Sequence, residues 1–266
     1  PNPDVLCNRE IKFREFLDYA GRLGAKYIAT GHYAQIGSNS TSFSLRKGND
    51  PGKDQSYFLY TLGQSELKQT IFPIGGLLKS EVRQKARALG LPNADRKDST
   101  GICFIGERRF SDFLSCYLPP CPGQIRTLDN TVVGQHQGLW FYTLGQRHGL
   151  DIGGPGDAWY VADKDMASNV LRVVQGHDHP ALMRKSAQAE ELSWVADHPP
   201  VFPFHCSAKT RYRQADQTCK LSCIGPDKIE IAFDQPQRAI TPGQALVLYD
   251  GDQLIGGGVF CDLINE

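Results

Sequence analysis

Ala25-Lys26-Tyr27-Ile28-Ala29-Thr30-Gly31-His32-Tyr33 holds a short apolar run that breaks at a glycine followed by two ring side chains. Ala25–Thr30 has the length and composition of a buried strand. Upstream, Ile11, Phe16, Leu17, Ala20 and Leu23 fall at helical spacing, which predicts a helix capped by Asn8 and closed by Gly24. Downstream, Val82, Ala86 and Leu89 predict a second helix that starts at a Ser80 cap and stops at Gly90, with Pro92 beyond its end. Helix, strand and helix on short joints are part of an α/β layer. Ligands of such layers lie beyond the strand C-termini, so Gly31 and His32 fall where a site is expected.

Beyond Phe110 the texture changes. Phe110–Leu118 predicts one short helix stopped by Pro119-Pro120, and Gly145–Gly154 is too rich in glycine for a regular element. Further on, Phe204–Lys209, Lys220–Cys223, Ile229–Phe233, Ala245–Tyr249 and Gly256–Phe260 read as strands between turn signals. About five strands at this spacing predict a small all-β barrel. A chain of 266 residues has room for two or three domains. The expected division is 1–109, the rear part of an α/β domain; 110–180, a small central α+β domain; and 181–266, the barrel.

Hydrophobic residues make up 40% and charged residues 22%, the composition of a folded domain rather than a disordered or fibrous chain. No apolar run approaches the roughly 18 residues of a membrane span, and no membrane partner is expected. Eight irregularly spaced cysteines are too sparse for a disulfide scaffold at this length. Reduced thiols point to a cytoplasmic location. The net charge is zero, yet residues 1–109 carry 17 Lys+Arg against 11 Asp+Glu. Residues 110–179 carry 4 against 7, and residues 180–266 carry 8 against 11. The first segment is thus the one suited to an anionic partner.

Two cysteines stand in that basic segment in unlike, turn-rich settings. Cys7 follows Asn2-Pro3-Asp4-Val5-Leu6, and Cys103 sits in Asp98-Ser99-Thr100-Gly101-Ile102-Cys103-Phe104-Ile105-Gly106. Two such thiols can work as a pair, one carrying sulfur and the other assisting or resolving it. Asp4, three residues before Cys7, is placed to act as acid or base, or to close an Asx-turn. Metal ligation is not expected. Cys219 and Cys223 lack a second pair at ligand spacing, Cys116 and Cys121 do not supply one, and His177-Asp178-His179 reads as a solvated loop. Trp140, Trp159 and Trp194 read as packing residues.

Six strings in order resemble the bacterial tRNA-specific 2-thiouridylases. They are Asn2-Pro3-Asp4 with Cys7-Asn8, Ala29–Ala34, Lys53-Asp54-Gln55-Ser56-Tyr57-Phe58, Asp98–Gly106, Tyr142–Arg147 and Lys209-Thr210-Arg211-Tyr212-Arg213. The resemblance implies an adenine-nucleotide α-hydrolase-like (ATP pyrophosphatase) domain, a central domain and a barrel. It also implies ATP-dependent transfer of a persulfide sulfur to C2 of the wobble uridine of tRNA. By matching position, Cys103 is the persulfide carrier, Cys7 the other catalytic thiol and partner in a disulfide, and Gly31 an ATP contact. Asn2, Pro3, Asp4, His32, Lys53, Asp54, Gln55, Arg211, Tyr212 and Gln244 match positions associated with tRNA, at its anticodon region. A protein sulfur donor and Mg2+ as the counter-ion of ATP complete the implied set. The family's Ser-Gly-Gly-Val-Asp-Ser phosphate loop is not in this sequence, so a preceding piece is expected, and adenylation by these residues alone is not. The rival class is a catalytically idle tRNA-binding fragment, or a β-barrel interaction module with structural cysteines.

Overall fold

The computed structural model describes residues 2–96 and 116–264. The chain divides into two compact units. One comprises the described residues of Pro1–Thr100 with Ala187–Gln235 and Pro242–Asp262; the other comprises those of Gly101–Ser186 with Pro236–Thr241 and Leu263–Glu266.

In the first unit the chain opens in a continuous helix made of Pro3–Leu6, Cys7–Glu15 and Phe16–Arg22, the middle stretch wound in the wider π register. Its start corrects the sequence expectation. Asn2, not Asn8, is the N-cap, its Oδ1 accepting the Asp4 N–H at 3.0 Å, with Pro3 in the first turn. The expected stripe also shifts. Val5, Asn8 and Phe13 are buried and Leu17 and Ala20 pack against the core, whereas Ile11, Phe16 and Leu23 are exposed. The π register is the reason: the Phe16 N–H reaches the Ile11 carbonyl five residues back, which rotates the faces away from a 3.6 period. Gly24 ends the helix as expected, at φ +85°, with the Ala25 N–H closing on the Ala20 carbonyl.

β1 is Ile28–Ala29, β2 Ala34–Ser38, β3 Phe43–Lys47 and β4 Thr70–Ile71. β1 and β4 pair in parallel, while β2 and β3 form an antiparallel hairpin. The second predicted helix forms over Lys79–Ala88. Its cap is not Ser80, which lies inside it. Glu81 accepts the Leu78 N–H at 2.7 Å, and Asp50 accepts the Lys79 N–H at 2.9 Å from a separate loop.

The second unit is built on β5 (Gly123–Arg126), β6 (Val132–His136), β7 (Trp159–Asp165) and β8 (Val170–Gln175), ordered β6-β5-β8-β7 with β5 and β8 parallel. Ile125, Leu139, Val161, Leu171 and Val173 fill one cluster, and Tyr160, Ala162, Val174 and Leu182 a second. The glycine-rich stretch is tied to β7 by bonds between Gly145 N–H and Val161 O at 2.7 Å and between Val161 N–H and Gln146 O at 3.0 Å. His177-Asp178-His179 has local roles: His177 pairs with Asp178, and His179 Nδ1 accepts the Ala181 N–H at 3.1 Å. The expected helix over Phe110–Leu118 falls largely outside the described residues.

The barrel strands are β9 (Met183–Trp194), β10 (Phe204–Lys209), β11 (Gln217–Gly225), β12 (Lys228–Arg238), β13 (Ala245–Asp250) and β14 (Gln253–Ile264). They run β13-β10-β11-β12-β9-β14 and close by pairing β13 with β14. The sequence predicts five of these strands and misses β9. Closure leaves the barrel no free edge. The β2–β3 hairpin then adds to β14 through Leu45 opposite Leu254, so the N-terminal segment and the barrel share one sheet and one core.

The Phe72–Gly76 turn approaches β2 closely, and among the described glycines Gly75 leaves the least room for a Cβ. A Cβ on Gly75 would lie 1.7 Å from the Ala34 carbonyl oxygen, whereas one on Gly76 would meet nothing closer than 4.0 Å. Gly75→Ala is expected to lower the urea midpoint by an amount worth about 1–3 kcal/mol or more, and Gly76→Ala to shift it by less than about 0.5 kcal/mol. Equal midpoints for the two variants would contradict this packing.

Candidate active site

Asn2, Pro3, Asp4 and Cys7 lie on the first turns of the N-terminal helix. The Cys7 N–H donates to the carbonyls of Pro3 and Asp4, which puts the Cys7 side chain three residues along from Asp4, on the same helix face. Cys7 is half-buried and Asp4 exposed. Asn8, the next residue, is 2% exposed and donates from Nδ2 to the Phe58 carbonyl at 3.1 Å. Its Oδ1 is buried with no partner among the described residues.

Phe58 belongs to the short 3-10 turn Ser56–Leu59 that follows Lys53-Asp54-Gln55. This turn is held on every side. Asp54, 7% exposed, accepts the N–H of Gly48 at 2.9 Å and of Ser56 at 3.1 Å, and the Ser56 hydroxyl at 3.0 Å. Gln55 makes a reciprocal pair with Tyr33: its N–H donates to the Tyr33 carbonyl at 2.9 Å, and its Oε1 accepts the Tyr33 N–H at 3.1 Å. From the barrel side, Ser56 Oγ meets the Tyr249 hydroxyl at 3.1 Å, and the Tyr57 hydroxyl donates to the Ala245 carbonyl at 3.1 Å. Burial raises the pKa of both phenols, so both stay neutral.

The loop between β10 and β11 reaches the same turn. The Tyr212 ring lies 4.4 Å from that of Phe58 and 6.0 Å from that of Tyr57, and the Arg213 guanidinium sits 5.3 Å from the Tyr212 ring centre. Gln214 Oε1 shapes the loop by accepting the N–H of Thr210 and of Arg211. Arg211 is half-buried and near enough to Tyr57 to act on its phenol electrostatically. Lys209, at the end of β10, places Nζ 3.9 Å from Asp54 and 3.7 Å from Asp216.

The structure therefore brings the N-terminal helix, the Lys53–Phe58 turn and the Arg211–Tyr212 loop together around Phe58. Gln244 immediately precedes Ala245, the acceptor of the Tyr57 hydroxyl; its own Oε1 is buried without a partner among the described residues. Gly31 is exposed just past β1, and a Cβ there would meet only Ile74 Cδ1 at 4.0 Å. His32 is turned inward, between Phe13 and Phe72, with Nδ1 2.8 Å from Thr30 Oγ1. Cys103 lies outside the described residues. Sequence reasoning singled out neither Asn8 nor Phe58 for the site, although both stand within matched strings; an asparagine inside a helix and an aromatic beside a polar triplet were the available signals.

His32 has a measurable consequence. Burial, with the Lys12 charge as a smaller contribution, lowers its pKa from 6.5 to about 4. As pH falls, the unfolded chain takes the proton first. The contribution is therefore intact above about pH 6.5 and is lost between there and about pH 4, by on the order of 3 kcal/mol. His32→Gln is expected to flatten the acid limb of stability against pH across that window, and an unchanged limb would count against a buried neutral imidazole.

Comparison with known proteins agrees with the architecture. Residues 1–107 match the model described as tRNA methyl transferase HUP domain, 111–175 that of tRNA methyl transferase PRC-barrel domain, and 184–260 that of aminomethyltransferase beta-barrel domain. Among curated relatives, the tRNA-specific 2-thiouridylase MnmA of Alkalilimnicola ehrlichii is 58% identical over 264 residues, covering 97% of this chain and 72% of that protein. The MnmA proteins of Methylococcus capsulatus and Ralstonia nicotianae are each 58% identical, over 97% of this chain and 71% of their own length. With its HUP, PRC-barrel and β-barrel segments matched in order, and this identity running along nearly its whole length, the chain belongs to the tRNA-specific 2-thiouridylase family.

Proposed function

We propose that this chain works as a tRNA 2-thiouridylase, replacing the C2 oxygen of the wobble uridine with sulfur. The observation that carries the reading is the convergence on Phe58, where Asn8 ties the Cys7 helix to a turn against which the Tyr212 ring packs at a tilt. A thiol-bearing helix, an aromatic ring and a basic loop that all meet Phe58 suit a base that has left its stack. Lys53 and Arg211 would meet phosphates, and Tyr212 would offer a sequence-tolerant stacking surface. The base must be turned out to reach a half-buried thiol. Gln55, locked to Tyr33, and Asp54, locked to Gly48 and Ser56, would fix the turn that presents Lys53.

In this reading Cys103 carries the terminal sulfur of a persulfide loaded by a protein sulfur donor. The Cys7 thiolate attacks the Cys103 Sγ and the persulfide S–S bond breaks. Its electron pair leaves with the terminal sulfur, which attacks C2 of the uracil. A Cys7–Cys103 disulfide remains, to be reopened by a thiol reductant. Asp4 takes or returns the proton. The exposed peptide at Gly31 suits a flat ligand lying against the end of β1. In the complete enzyme, bound ATP with Mg2+ as counter-ion would supply a good leaving group on the uracil oxygen. A cytoplasmic location belongs to the same proposal and rests on cysteine usage.

Two measurements test it. Against an anticodon stem-loop, Tyr212→Ala is expected to cost roughly 5- to 150-fold in affinity, the range for losing one base stack. Arg211→Gln should weaken binding and reduce the salt slope by about one. Salt-independent binding, or equal affinity for duplex DNA, would falsify the RNA reading. In the complete enzyme, Cys103→Ser should abolish persulfide formation, while Cys7→Ser should keep the persulfide and block product. Full product formation by Cys7→Ser would remove that thiol from the mechanism.

A further inference from the structure

We infer that Cys206 and Cys219 are a disulfide-forming site in the barrel wall, which staples the stem of the hairpin that carries Arg211 and Tyr212. The two residues are direct partners across the antiparallel β10–β11 pair, and their Sγ atoms are 3.7 Å apart. Residues opposite one another in such a pair have Cα atoms about 4.5–5.5 Å apart, inside the roughly 4.4–6.8 Å that a disulfide spans. Closing to an S–S bond of about 2.05 Å therefore needs side-chain rotation and no change of register. The spacing Cys219-x-x-x-Cys223 that the sequence offers is not the pairing the fold makes. Cys223 is exposed at the far end of β11, and its Sγ donates to the Gly225 carbonyl.

The two thiols differ in access. Cys219 is 3% exposed, on the same inward face as the fully buried Leu221, whereas Cys206 is half-buried. An alkyl or hydrogen peroxide would reach Cys206 first. The Cys206 sulfur is oxidised to a sulfenic acid, and the peroxide O–O bond breaks to release an alcohol or water. The Cys219 sulfur then displaces hydroxide from that sulfenic acid and, with its own proton, releases water as the S–S bond forms. The Cys219 hydrogen bond and burial both raise the Cys206 pKa, so thiolate is scarce and the reaction is slow beside that of an exposed thiol. The staple therefore closes under peroxide and stays open where thiols are kept reduced.

The consequence lies two rungs away. Ser207 opposite Thr218 and Ala208 opposite Gln217 separate the cysteines from the loop that begins at Thr210. Gln214 already braces that loop through the Thr210 and Arg211 amides. A covalent stem suppresses fraying beneath Arg211 and Tyr212. This inference goes beyond the sulfur-transfer reading and uses neither Cys7 nor Cys103.

The test is peptide mapping by mass spectrometry after the native, full chain has been exposed to hydrogen peroxide and its remaining thiols alkylated. The expected product is a peptide pair joined through Cys206 and Cys219 and lacking two hydrogens, with slower amide exchange at Thr210–Gln214 than in the reduced chain. In Cys206→Ser, Cys219 should be recovered alkylated after unfolding, its sulfur never oxidised. Recovery of both cysteines alkylated from the wild-type chain while Cys116 and Cys223 have been oxidised would overturn the site. So would a disulfide from either to a third cysteine. Unchanged exchange in the joined chain would overturn the staple, and oxidised Cys219 in Cys206→Ser would overturn the order of attack. A chain that failed to bind tRNA would leave all these readouts standing.

Discussion

A buried carboxylate holds this arrangement in place. Taking Asp54 out of water is costly unless hydrogen bonds replace the solvent, and the fold supplies them from Gly48, from the Ser56 backbone and from the Ser56 hydroxyl. Those donors come from two stretches of chain, so satisfying one carboxylate fixes the path between β3 and the Ser56–Leu59 turn. Lys209 adds the barrel to the same charge at 3.9 Å, and Lys47 pairs with Asp216 alongside. Removing Asp54 would leave several buried donors unpaired at once, which is the expensive way to lose a polar group.

Once that turn is fixed, the geometry around Phe58 follows. Its carbonyl is the acceptor for Asn8, and its ring packs at a tilt against that of Tyr212. The helix carrying Cys7 and the loop carrying Arg211 therefore take their positions from one residue that contributes no charge or proton. The hairpin β2–β3, added to β14, lets a single core run beneath both. Under the proposed function, one core beneath the Cys7 helix and the Arg211 loop holds them more rigidly than a linker would.

The barrel was largely legible because its strands alternate: Ala208, Cys219, Leu221, Ile229, Ile231 and Phe233 are buried between neighbours that are half-buried or exposed. β9 escaped because Met183–Trp194 is rich in Ala, Glu, Gln, Lys and Arg, and its strand character comes from pairing within a closed barrel rather than from local preference. The helix endings at Gly24 and Gly90 were readable, since a left-handed residue after a helix asks for glycine. The first helix's start and buried face were not. A periodicity of 3.6 cannot find Phe13 in a π-wound stretch, and an asparagine preceding Pro-Asp was the better cap signal than Asn8. Within the site, motif strings located the parts, but nothing local announces that Asn8 will reach Phe58, fifty residues away.

Asn2 shows how a capping role and a binding role can coexist in one side chain. Its Oδ1 is committed to the Asp4 N–H, and that bond starts the helix on which Cys7 rides. The amide nitrogen is a donor, and it lies on the opposite branch of the same planar group. A uracil ring presents acceptors at its exocyclic oxygens. Under the proposed function, Nδ2 is therefore the atom suited to such an oxygen, and Oδ1 is not. Replacing Asn2 by Asp would keep the cap while exchanging the donor for a second acceptor with charge. The helix would still form, since Asp caps as well as Asn. Contact with the base oxygen would turn from attraction to repulsion, so the two roles are separable at a single position.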